Sequence, residues 1–216
     1  MTETVVKSML FSAPMVRAIL ADRKRETRRL AENATARTLA AATAEGKRAL
    51  VWVRESFRVE SNFDDAPPAA LASTSFTELP VWHEAECGAP LKQTRSRWGN
   101  PFGRCRAGIH MPRWASRLTL AIEAVRLEPL QAIDDAGALA EGVIRYRREG
   151  KPLCGVEIER GQFFGEADAP RESYRLFWDH LHKDHPAARW EANPAVAVIR
   201  FYPIEQNIDA ALRRGV

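Results

Sequence analysis

Apolar residues fall along this chain in short clusters, and the spacing inside each cluster predicts an element. "VVKSMLF" (5–11) has β-type composition and reads as a short strand. "SAPMVRAILADR" (12–23) reads as a helix. Ser12 stands at the N-cap position, Pro14 sits in the first turn, and Met15, Ile19 and Leu20 recur at helical spacing. The charged run "ADRKRETRR" (21–29) follows and reads as the exit of that helix. The Ala- and Thr-rich residues 31–46 read as a linker or a weak helix. "ALVWVRESF" (49–57) alternates Leu50, Trp52 and Arg54 with Val51, Val53 and Glu55, as a strand does.

Further along, "SRLTLAIEAVRLEPL" (116–130) is the clearest strand. "AIDDAGALAEGV" (132–143) reads as a short helix with Asp134 as N-cap and Gly142 as its stop. "PRESYRLFWDHLHKDH" (170–185) is amphipathic, with Tyr174, Phe177, Trp178 and Leu181 on one side, which points to a core face. "PAVAVIRFYPI" (194–204) is a last strand. Residues 58–108 and 144–169 show neither period and read as long insertions in a single domain spanning 1–216. Irregular stretches, not regular crossover helices, separate the strands. That excludes a doubly wound parallel sheet and favours an α+β fold, a small and partly closed β-barrel with flanking helices.

Composition narrows the class. A hydrophobic fraction of 45% supports a core and excludes global disorder. No apolar run approaches the roughly 20 residues of a spanning helix, so no membrane partner is expected. The N-terminus lacks a basic leader, and the three cysteines Cys87, Cys105 and Cys154 are odd in number. Both features fit a reduced, cytoplasmic protein.

Charge changes the picture more. The net charge is +4, and from Ala89 to Arg117 there is no Asp or Glu. Lys92, Arg95, Arg97, Arg104, Arg106, Arg113 and Arg117 all fall there. Such a run either stays solvated or binds an anion such as phosphate. Within "IHMPRWASR" (109–117), Arg113 and Arg117 offer forked donors, Trp114 a stacking plane and His110 a titratable ring. Trp114 as a core plug is the equal alternative. His83, Cys87, Cys105 and His110 have only loose ligand spacing, and no metal or other cofactor is expected. His180, His182 and His185 suit a helix C-terminus.

Five blocks together carry a resemblance: "MLFSAPMVRAILADRKRETRR", "VWVRESF", "IHMPRWASRLTL", "LQAIDDAGALAEGV" and "LFWDHL…WEANPAVAVIRFYPI". In order and spacing they resemble phage-encoded ASCH-domain proteins, of the PUA-like superfamily. The resemblance implies a small β-barrel with a cleft for RNA, a nucleotide or a modified nucleoside. One ASCH branch removes the acetyl group from 4-acetylcytidine and carries a Gly-x-Lys-x-x-Thr motif with a later Glu. Lys24 and Thr27 match its Lys and Thr, and Glu141 stands where its Glu is expected. The Gly position holds Asp22, a residue that tolerates a left-handed backbone better than most.

The implied chemistry is amide hydrolysis. Lys24 takes the Thr27 proton, Thr27 attacks the carbonyl, and Glu141 carries a proton to the leaving amine. The neighbouring Arg23, Arg25, Arg28 and Arg29 favour a neutral Lys24. Lys24 and Thr27 share a face if the turn is helical. The alternative is that Lys24 and these arginines only bind phosphate or complement a helix end. Arg28, Trp52, Glu55, His110, Arg113, Trp114 and Arg117 are the candidate ligand contacts, with Glu55 equally placed for an ion pair with an arginine of 23–29. Two other functions use the same cleft: a binding module for nucleic acid that does no chemistry, and a metal-independent ribonuclease with Lys24 and His110.

Overall fold

The Val- and Met-containing N-terminal run forms β1 (Thr4–Leu10), and α1 (Ala13–Leu20) follows it with Pro14 in the first turn. Then come β2 (Glu26–Leu30), α2 (Ala34–Ala44), β3 (Arg48–Arg54), β4 (Phe57–Arg58), β5 (Trp82–His83) and α3 (Glu84–Cys87). The second half holds β6 (Thr119–Pro129), α4 (Asp135–Ala140), β7 (Val143–Arg148), β8 (Lys151–Glu159) and β9 (Gln162–Ala167). It closes with α5 (Pro170–Leu181), β10 (Ala195–Ile204) and α6 (Ile208–Arg213). This computed structural model describes residues 3–67, 81–87, 103–159 and 161–215.

The fold is mixed α/β. The main sheet runs β1-β3-β6-β10-β2, parallel between β1 and β3 and antiparallel elsewhere. Among the described residues it stays open, with β1 and β2 as its edges. Alternation along the strands divides two cores. Val51, Val53, Ala197 and Ile199 pack with Val16 and Ile19 of α1 and with Leu39 of α2. Val196 and Val198 pack with Ala138 of α4 and with Tyr174, Phe177 and Trp178 of α5. Each fully buried aliphatic side chain here contributes about 1.5–3 kcal/mol. Phe57, Val59, Met111 and Ala115 form a smaller third cluster, against which Trp114 packs.

Three expectations change. Residues 26–29 are not a helix exit. α1 stops at Leu20, and Glu26–Leu30 pair with β10 from Glu26↔Arg200 to Leu30↔Val196. Tertiary pairing here overrides the helical look of a charged run. Second, residues 34–44 are a full helix, capped by the Asn33 side chain on the Ala36 amide at 3.1 Å. Ala36, Leu39 and Ala42 are its buried stripe, and alanine gives that stripe little sequence contrast. Third, most of 144–169 is an antiparallel meander, β7-β8-β9, whose Val143, Cys154 and Val156 join the α5 core.

Candidate functional site

The exit of α1 aims the first candidate residue. Asp22 has φ +58°, and the Arg23 and Asp22 amides close back on the Ala18 and Ile19 carbonyls at 2.8 and 3.0 Å. This is the left-handed helix stop usually made by glycine. Asp22 thus adopts a backbone usually left to glycine, and its carboxylate pairs with Arg25. The chain leaves the stop with Lys24 in an isolated antiparallel bridge to Glu141. Glu141 in turn ends α4, which the Asp134 side chain caps at the Gly137 amide at 2.7 Å. Gly142 follows at φ +102°, where a side chain would be strained.

Lys24 and Glu141 therefore meet across 117 positions of sequence. The Lys24 Nζ donates to Glu141 Oε2 at 2.5 Å and to the Glu141 carbonyl at 2.8 Å, with 1% and 5% of the two residues exposed. Arg28 donates to the other oxygen, Oε1, at 3.4 Å, and the Tyr174 hydroxyl donates to that oxygen at 3.4 Å. Arg28 also reaches Glu128 at 3.0 Å and Glu26 at 3.7 Å, and Arg126 holds the same two carboxylates at 3.1 Å. Three cations and three carboxylates thus balance in this cluster.

Burial sets the protonation. It depresses the Lys24 ammonium, and the contribution of Glu141 only partly offsets it, so Lys24 lies below its ordinary value. Burial pushes the Glu141 carboxyl up, but Lys24 and Arg28 outweigh it and hold the group below the usual carboxylate range. Burial, then the Glu141 charge, pushes the Tyr174 phenol well up, so it stays a neutral donor.

A cavity of about 550 Å³ opens beside this cluster. Lys24, Thr27, Arg28 and Glu141 line it together with Arg29, Tyr174, Phe177, Trp178 and the end of β1. Both edges of the open sheet therefore border it, and Arg29 of β2 spans them by donating to the Leu10 carbonyl at 3.0 Å. Thr27 is 1% exposed, and among the described residues nothing hydrogen-bonds its hydroxyl. No hydrogen bond joins Lys24 to Thr27.

The remaining sequence candidates do not line this cavity. Glu55 is buried in a bidentate pair with Arg117 at 3.0 and 3.3 Å, not with the 23–29 run. Trp52 lies beneath the Arg54 guanidinium, and Trp114 packs on the third core cluster. Arg113 pairs with Asp209 at 2.6 Å, and His110 is exposed. Arg106 turns inward onto the Phe63, Asp64 and Ala66 carbonyls. Arg106, Arg113 and Arg117 thus find acceptors far away in sequence, a relation their local pattern does not reveal. Lys92, Arg95 and Arg97 lie outside the described residues. The Cys87 side chain does too, while His83 bonds the Ala115 carbonyl and Cys105 is exposed.

Tyr174, Trp178 and Glu32 are among the lining residues that the sequence did not single out for chemistry, while Arg29 entered there only as one of the run of arginines. Tyr174 and Trp178 look like core and are core, but each presents part of its surface to the cavity. The polar tip of a tyrosine on an apolar stripe is the available signal. No protein-family model, curated protein or solved structure matches this chain.

Proposed function

We propose that the chain is an ASCH-type protein, with β1 and β2 as the lips of a partly closed PUA-like barrel. Its Lys24 cavity binds a modified nucleobase and hydrolyses the amide of an acylated cytidine. One observation carries the proposal: Lys24, Glu141 and an unpartnered Thr27 hydroxyl border the same cavity. These are the three residues that the resemblance assigns to amide hydrolysis. The charge balance around Arg28 also favours a neutral base over a phosphate chain as the group held there.

The steps follow from the proton positions. Lys24 passes a proton to Glu141 Oε2 across their hydrogen bond, leaving an amine beside a carboxylic acid. Shielding from water makes this neutral pair accessible. The amine takes the Thr27 proton as Oγ1 bonds to the acyl carbon. The tetrahedral adduct collapses, the carbon–nitrogen bond breaks, and Glu141 protonates the departing amine. Water then hydrolyses the Thr27 ester, giving up a proton to the same pair, and Thr27 leaves as the alcohol. Lys24 must swing from Glu141 towards Thr27 during the first step, a motion that substrate binding would drive.

The test is incubation with 4-acetylcytidine and chromatography for cytidine, with Lys24→Ala and Thr27→Ala alongside. Release that both substitutions abolish supports hydrolysis at this site. No release at high enzyme concentration overturns it and leaves binding without chemistry.

A further inference from the structure

Arg29 differs from the other cations of the cavity. Lys24 and Arg28 are each held by carboxylates. The Arg29 guanidinium meets only backbone carbonyls, Arg28 at 3.3 Å and Leu10 at 3.0 Å, and lies 5.3 Å from the Phe11 ring centre. Among the described residues no carboxylate lies within ion-pair distance of it, and Glu141 reaches it only through its charge. It is half-buried, so its charge is weakly screened, and the carbonyls and ring fix its direction. Two of the five donors of a guanidinium are used, and the others stay available to the cavity. Its place on β2 is two residues from Thr27, on the same side of the strand and about 7 Å along it. Glu32, exposed just beyond β2, lines the same cavity and is an acceptor suited to ribose hydroxyls.

We infer that Arg29 anchors a phosphate of the substrate, so that the site takes a phosphorylated acyl-cytidine in preference to the free nucleoside. The inference rests on the amide-hydrolase reading for its base and reaction, but not for its anion. A fixed, unpaired guanidinium at a cavity wall binds phosphate by forked, charge-assisted hydrogen bonds. The phosphate is either the terminal one of a mononucleotide or a linking one in RNA.

The experiment compares kcat/KM for 4-acetylcytidine, its 5′-monophosphate and a short RNA carrying one 4-acetylcytidine. Each is measured with the intact protein, Arg29→Met and Arg29→Lys. The expected result is a preference of about tenfold or more for one phosphorylated substrate. That preference collapses in Arg29→Met and survives in part in Arg29→Lys, while the rate on the nucleoside is little changed. Which substrate gains identifies the source of the phosphate. Equal rates on all three overturn the inference and leave the hydrolase reading standing. If none is hydrolysed, titration calorimetry with cytidine 5′-monophosphate and with cytidine decides it. Tighter binding of the monophosphate, lost in Arg29→Met, upholds the anion site without the reaction. Equal or no binding overturns it.

Discussion

The Lys24 ammonium stands 2.5 Å from Glu141 Oε2, with both side chains shut away from solvent. An ion pair in such a place is expensive to form and more expensive to halve, because either partner alone is a buried charge. Lys24→Met is therefore predicted to cost about 3–5 kcal/mol of stability. Lys24→Met with Glu141→Leu should cost clearly less than the sum of the two single changes. Urea denaturation of the four proteins in the cycle measures the coupling directly.

Thr27 is different in kind. Among the described residues its hydroxyl has no partner to strand, so Thr27→Ala should lower stability by about 1 kcal/mol or less, by unfolding midpoint. The same substitution should remove hydrolysis, and Thr27→Ser should keep a measurable part of it. A stable and inactive Thr27→Ala separates chemistry from folding in a way Lys24 variants do not.

Acid should act through Glu141. Its native carboxyl lies below the ordinary value of 4.5, held there against burial by Lys24 and Arg28. The unfolded chain thus binds the proton first as the pH falls. The stabilising contribution is complete above about pH 4.5 and drains away as the pH drops through the lower native value. Lys24 acts on the alkaline side. Burial lowers its native value, the unfolded chain holds more protons just below 10.5, and stability rises as the pH climbs through that window. Thermal melts across the acid limb should show a shallower loss for Glu141→Gln than for the unaltered protein.

Glu55 and Arg117 make the opposite case from Thr27. Glu55 is 1% exposed and held by Arg117 through two hydrogen bonds. Arg117→Met should destabilise by about 2–3 kcal/mol, since it weakens the support of a buried carboxylate. It should leave kcat/KM near that of the unaltered protein, because neither residue borders the Lys24 cavity. A large loss of activity in a folded Arg117→Met would return that pair to the site.

These contrasts show what the sequence carries. Composition, period and cap residues together locate β1, α1, β3, β6, α4, α5 and β10, and Lys24, Thr27, Arg28 and Glu141 line one cavity. The partners of the charges are less legible. Arg117 finds Glu55, Arg113 finds Asp209 and Lys24 finds Glu141, each across a long stretch of chain that no local pattern spans. β2 was hidden because its charged side chains are compensated by β6 and α4 after folding. The β7–β8 hairpin had a usable clue in Glu149-Gly150, both at positive φ, a two-residue turn that glycine favours.

The most direct test of the account is a single-turnover experiment with enzyme in excess over 4-acetylcytidine, on the unaltered protein and on Thr27→Ala. Both proteins must first show the same circular dichroism and unfolding midpoint. The account predicts that the unaltered protein releases cytidine and acetate in equal amounts and that Thr27→Ala releases neither. Release by Thr27→Ala at the unaltered rate, or none from either protein, would contradict it.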